Sequence, residues 1–119
     1  MARVTHTKQV PKGPYPTLPV AADSLDVTFL AADTVNFEQF IPSGDDLLLA
    51  WNSHASINYT ITLTSAPDDK GRSGDVTTYT IGFGEIAAFR FRKAGWEQSD
   101  NRVYFQASNA AVKFAVIQL

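Results

Sequence analysis

His6 and His54 are the only histidines in the chain, and metal chemistry would have to begin with them. Zinc takes several His, Cys, Asp or Glu ligands that converge at set spacings. One histidine precedes a proline-rich stretch, the other falls in the turn Ser53-His54-Ala55-Ser56, and neither has a ligand two or four residues on. Both read as surface histidines. The loop Asp68-Asp69-Lys70-Gly71-Arg72-Ser73-Gly74-Asp75 offers carboxylates for calcium, which takes about six to eight oxygens. The EF-hand order is missing and Lys70 and Arg72 place positive charge inside it, so it reads as a solvated hairpin tip or a contact loop. Gly82-Phe83-Gly84 lacks the helix and lysine of a phosphate-binding loop. No G-x-S-x-G elbow occurs, and no pair of acids sits in a hydrolytic motif. The residues therefore point to a non-enzyme with no cofactor.

Two features suit contact with another macromolecule. Arg90-Phe91-Arg92-Lys93 interleaves basic and aromatic side chains, which stacks and pairs with nucleic acid in some proteins. Here the formal net charge is −2 and the ten Lys and Arg are scattered, so a protein partner fits better than nucleic acid. On a strand, Phe89 and Phe91 would point inward and Arg90 and Arg92 outward. Trp51 lies in an apolar run and reads as core. Trp96 follows Gly95 in a polar turn, where it either caps the body or anchors an interface.

These residues must be held by strands. Ile57, Tyr59, Ile61 and Leu63 alternate with Asn58, Thr60, Thr62 and Thr64, a period of two that separates an apolar from a polar face. Similar runs are expected over 25–31, 37–41, 76–81, 86–92, 103–107 and 112–119, with a weaker strand over 2–9. Leu47 to Asn52 is continuously apolar, the pattern of a central strand buried on both faces. Pro42-Ser43-Gly44-Asp45 and several glycine-rich stretches supply turns. Short strands at this spacing predict a sandwich or barrel.

The chain has 119 residues, 45% hydrophobic, enough for one domain. It holds no cysteine, so disulfides and thiolate sites are excluded. No secretory signal and no membrane-spanning run is read, which predicts synthesis in a cytoplasm. Residues 1–24 are expected to form an extended arm ahead of a body over 25–119. Pro11, Pro14, Pro16 and Pro19 restrict their predecessors to extended shapes, and 10–24 would reach roughly 45 Å. The arm either crosses its own surface or docks on a neighbour. Candidate interface residues are Pro14, Tyr15, Pro16 and Leu18 on the arm, and Arg72, Arg90, Arg92 and Trp96 on the body.

Five stretches carry a resemblance: Gly13-Pro14-Tyr15-Pro16-Thr17-Leu18-Pro19, Trp51-Asn52-Ser53-His54-Ala55, Gly71-Arg72-Ser73-Gly74-Asp75-Val76-Thr77, Gly84-Glu85-Ile86-Ala87-Ala88-Phe89 and Lys113-Phe114-Ala115-Val116. Together they resemble small virion proteins of tailed bacteriophages and prophages, several of which are head decoration, or cement, proteins. The resemblance implies an all-β, antiparallel β-sandwich or jelly-roll-like body with a Pro-rich arm, bound to the outer head surface. Its implied partners are the major capsid protein and further copies of itself, as a homotrimer, with neither nucleic acid nor membrane. A head–tail connector or tail-associated protein is the alternative. A carbohydrate-binding module using Trp96, Tyr79 and Tyr104 is a further one. The family has no catalytic residues to carry over.

Overall fold

The computed structural model describes residues 2–11, 26–67 and 70–119. Every regular element among them is a strand: β1 (Val4–Thr5), β2 (Lys8–Gln9), β3 (Leu30–Ala31), β4 (Glu38–Phe40), β5 (Asp46–Asn52), β6 (Tyr59–Thr64), β7 (Val76–Ile81), β8 (Ile86–Phe91), β9 (Val103–Ala107) and β10 (Val112–Gln118). They form two mixed sheets in a sandwich-like arrangement. Sheet I has the order β1-β4-β9-β6-β7, and sheet II the order β2-β10-β5-β8, with β3 also on β10.

Five strands, β4, β5, β6, β8 and β9, alternate as a half-buried strand should. In β6, Ile61 and Leu63 are buried while Thr60, Thr62 and Thr64 are not, and in β9 Val103, Phe105 and Ala107 are buried around Tyr104 and Gln106. The inward sets of both sheets meet in one core that includes Phe40, Leu48, Phe91, Phe105, Phe114 and Val116. Aromatic rings bridge the sheets, Phe40 to Phe91 at 5.7 Å and Phe105 to Phe114 at 4.7 Å between centroids, and Trp96 from the turn after β8 packs on Phe91 at 5.1 Å. The turn before β5 has the expected chemistry. Gly44 takes φ +106°, where L side chains are strained, and Ser43 donates from N and Oγ to the Asp46 carboxylate at 2.8 and 2.6 Å.

Four expectations change. The weak strand over 2–9 is two strands, and they pair in parallel, β1 with β4 and β2 with β10. The sheets are therefore mixed rather than wholly antiparallel. His6 lies at the crossover between them, its N–H donating to Gln39 O at 2.9 Å. Of the run 25–31, the described residues 26–31 pair in a ladder only at Leu30 and Ala31. Its alternation is real, but Val27 is 43% and Leu30 50% exposed, so little burial holds it in a longer ladder. Ile57 precedes β6 and is exposed. Trp51 is on the outer face of β5, not in the core.

Candidate protein-interaction surface

β5 decides what sheet II shows to the outside. Asp46, Leu48, Ala50 and Asn52 point inward and are buried, while Leu47, Leu49 and Trp51 point outward and are half-buried. The apolar run Leu47 to Trp51 holds no polar residue to mark its phase. Asn52 takes an inward position because it has work there. Its Nδ2 donates to Ile57 O and Ile81 O, both at 2.9 Å, and its Oδ1 accepts from His54 N at 3.1 Å. Trp51 is thereby turned outward.

Register assembles the outer face. Trp51 is opposite Ile86 and Lys113, Leu49 opposite Ala88 and Ala115, and Leu47 opposite Arg90 and Ile117. Phe29 packs edge-on against Trp51 at 5.6 Å, and Lys113 Nζ lies 5.3 Å from the indole centroid. Ile86 is 58% exposed. An outer face that meets only water is normally polar. This one is apolar across its middle, with Lys113 and Arg90 towards opposite ends.

Arg90 is exposed and makes a two-pronged contact, Nε to Asp45 Oδ1 and Nη2 to Asp45 Oδ2, both 2.7 Å. That guanidinium holds the Asp45 carboxyl below its ordinary value, with a smaller contribution from Arg92. Arg92 is exposed just past β8. Phe91 is buried and Phe89 packs against the core, so this segment faces as its alternation predicts.

Arg72 and Trp96, far apart in sequence, line one shallow cleft of about 220 Å³ with Ser65, Ala66 and Gly74. Asp75 organises its rim by accepting from Ser65 N at 2.8 Å and Oγ at 2.7 Å. Trp96 packs edge-on against Phe91 and closes that end of the core. Pro14, Tyr15, Pro16 and Leu18 lie outside the described residues, as do Asp68 and Asp69.

His6 corrects a further expectation: it is buried, not on the surface. Its ring lies 5.3 Å from Phe105 and 5.9 Å from Phe114. Burial pushes its pKa down to about 4, so the imidazole is neutral near pH 7. Glu38 is also fully buried, on β4 opposite Phe105. Burial raises its carboxyl to about 7, against the lowering effect of the Asp33 N–H that donates to Oε1. Among the described residues His6 Nε2 and Glu38 Oε2 have no hydrogen-bond partner. His54 is half-buried and serves its turn, Nδ1 accepting from Ser56 N and Ile57 N at 3.0 Å.

A cavity of about 370 Å³ opens between β2 and β3, lined by His6, Gln9, Thr28, Leu30 and Phe114 among others. No group of three or more His, Cys, Asp or Glu among the described residues is placed to hold a metal. No helix among them is long and apolar enough to cross a membrane. Neither Glu38 nor the outward turn of Trp51 carries a signal in the sequence, because both follow from pairings between distant strands. No family model, curated protein or solved structure matches the chain.

Proposed function

We propose that this chain is an assembly protein that binds a larger protein shell through the outer face of sheet II. Joined to the resemblance above, the reading is a decoration, or cement, protein on the head of a tailed bacteriophage, bound to the major capsid protein. One observation carries it. The stretch Leu47–Asn52 is apolar enough for burial on both faces, and Leu47, Leu49 and Trp51 on the outer one are only partly buried. A strand apolar on both sides calls for two covering layers. An apolar patch centred on a partly buried tryptophan and rimmed by charge is the usual form of a protein contact.

The strand order supports the same reading. We read β3-β10-β5-β8 and β4-β9-β6-β7 as the two sheets of a jelly roll, with β1 and β2 added at their edges. Apart from the β6–β7 hairpin, each step from β3 to β10 crosses between sheets. Jelly rolls occur in viral shells and in lectins, and fold alone does not choose between them.

The test is the copy number of this chain in gradient-purified particles, measured by quantitative mass spectrometry against the major capsid protein. Copies comparable to the capsid protein support shell-wide decoration. A handful per particle moves the protein to the connector or tail, and absence overturns the virion reading. Trp51→Asp should lose head binding while its far-UV circular dichroism is unchanged.

A further inference from the structure

We propose that β8 is a self-association edge, and that two copies of this chain join their second sheets by pairing β8 with β8 across a two-fold axis at Ala88. Among the described residues the two sheets end in β1, β2 and β3, β7 and β8. β1, β2 and β3 are two residues each, too short to template a partner. β7 is longer but broken: its register with β6 shifts between Ile61 and Leu63, and Thr78 has φ +53°. Bulges of this kind are how proteins blunt an edge. β8 has no such device. It runs in unbroken register from Ile86 to Phe91 without proline, glycine or bulge.

The main-chain groups on the open side are identifiable. Asn52 N–H donates to Glu85 O at 3.0 Å and its carbonyl accepts from Gly84 N at 2.8 Å, so Asn52 turns its main-chain groups towards β8. Stepping by two along the antiparallel ladder, Ala87, Phe89 and Phe91 turn their main-chain groups to β5. Ile86, Ala88 and Arg90 turn theirs to the open edge.

That edge is self-complementary in one register. With Ala88 opposite its own copy, Ile86 faces Arg90 and Ala87 faces Phe89, so small side chains meet large ones on the inner face. The hydrogen-bonding residues of one strand then face those of the other. Moving the axis to Arg90 would set two guanidinium groups against each other, which is unfavourable. Pairing of this kind is isologous and closes at two copies. It also makes one continuous outer face that carries both copies of Leu47, Leu49 and Trp51.

Sedimentation equilibrium over a concentration series tests the proposal with three full-length chains. The unaltered chain should form a dimer. Ala88→Pro removes an N–H that points away from β5, so the monomer keeps its ladder while the pair loses one donor per copy. It should weaken dimerisation by about ten- to a hundredfold. Ala88→Lys sets like charges across the axis and should weaken it at least as much. Circular dichroism and the melting temperature of each variant verify the fold. A monomer at every concentration, a trimer, or a dimer untouched by both folded variants overturns the proposal.

Discussion

His6 and Phe105 stack at a 45° tilt with 5.3 Å between their centroids, which fixes the N-terminal crossover against a strand from the far end of the sequence. Glu38, on β4, is the register partner of Phe105. The two buried ionisable groups have opposite consequences for stability. Between about pH 4.5 and 7 the folded state keeps a proton on Glu38 that the unfolded chain has released. Stability from this group therefore falls as pH rises through that window. Between about pH 6.5 and 4 the unfolded chain takes up a proton on His6 that the folded state refuses. Stability from that group falls as pH drops.

The two slopes nearly cancel between pH 4.5 and 6.5 in the unaltered protein. Single variants unmask them. Glu38→Gln should lose stability on going from pH 6.5 to 4, and His6→Phe should lose it from pH 4.5 to 7. Each loss is on the order of 2 kcal/mol after allowance for screening. Urea unfolding across the pH range checks both signs, and parallel profiles for the two variants contradict the assignment.

Asn52 ties three parts of the chain to one side chain. Asn52→Ala leaves the carbonyls of Ile57 and Ile81 and the His54 N–H without that partner. A loss of about 2–4 kcal/mol is expected from the unsatisfied buried groups. Chemical denaturation measures it, and a change below about 1 kcal/mol would show that these groups find other partners.

Tyr79 and Phe89 belong to opposite sheets yet meet edge to face at 5.5 Å. They brace the side of the sandwich where β7 and β8 run. A double-mutant cycle with Tyr79→Leu and Phe89→Leu should give a coupling of about 0.5–1.5 kcal/mol. Zero coupling would mean that the pair only touches.

An arm over residues 1–24 suggests a segment whose removal leaves the body folded but unable to bind, and the contacts of its first part predict a cost in stability as well. Arg3 Nη1 donates to Glu38 O at 3.1 Å and its guanidinium lies 4.1 Å from the Tyr104 ring centroid. Lys8 Nζ lies 3.9 Å from the buried Asp46 carboxylate. Deleting residues 1–9 removes β1, β2 and His6 and uncovers Phe105 and Phe114. The melting temperature should fall by more than about 8 °C for a domain of this size. An unchanged melt would show the N-terminal strands to be dispensable.

The strands were legible because their alternation is strict. Tyr59 to Thr64 and Val103 to Ala107 each announce an inner and an outer face without help from any neighbour. The candidate surface was legible only in part. The run from Leu47 to Trp51 shows that two faces want cover, but its uniform apolarity hides which residues face which way. The polar ends, Asp46 and Asn52, settle the phase by taking buried positions, against the ordinary preference of such residues. Glu38 was hidden for the same reason, since its burial depends on β4 lying between β1 and β9. Arg72 and Trp96 share a cleft that no local pattern announces.

The place of β10 in sheet II bears on biosynthesis. Among the described residues β10 is the last strand, and it alone joins β5 to β2 and β3. While the chain is still on the ribosome, β5 has β8 on one flank and nothing on the other. The apolar stretch Leu47 to Trp51 must wait in that state until Val112 and its followers emerge. A transcript interrupted shortly before that point yields a polypeptide with nearly the whole hydrophobic inventory and no way to close it. Such a product belongs to chaperones and proteases rather than to the folded pool.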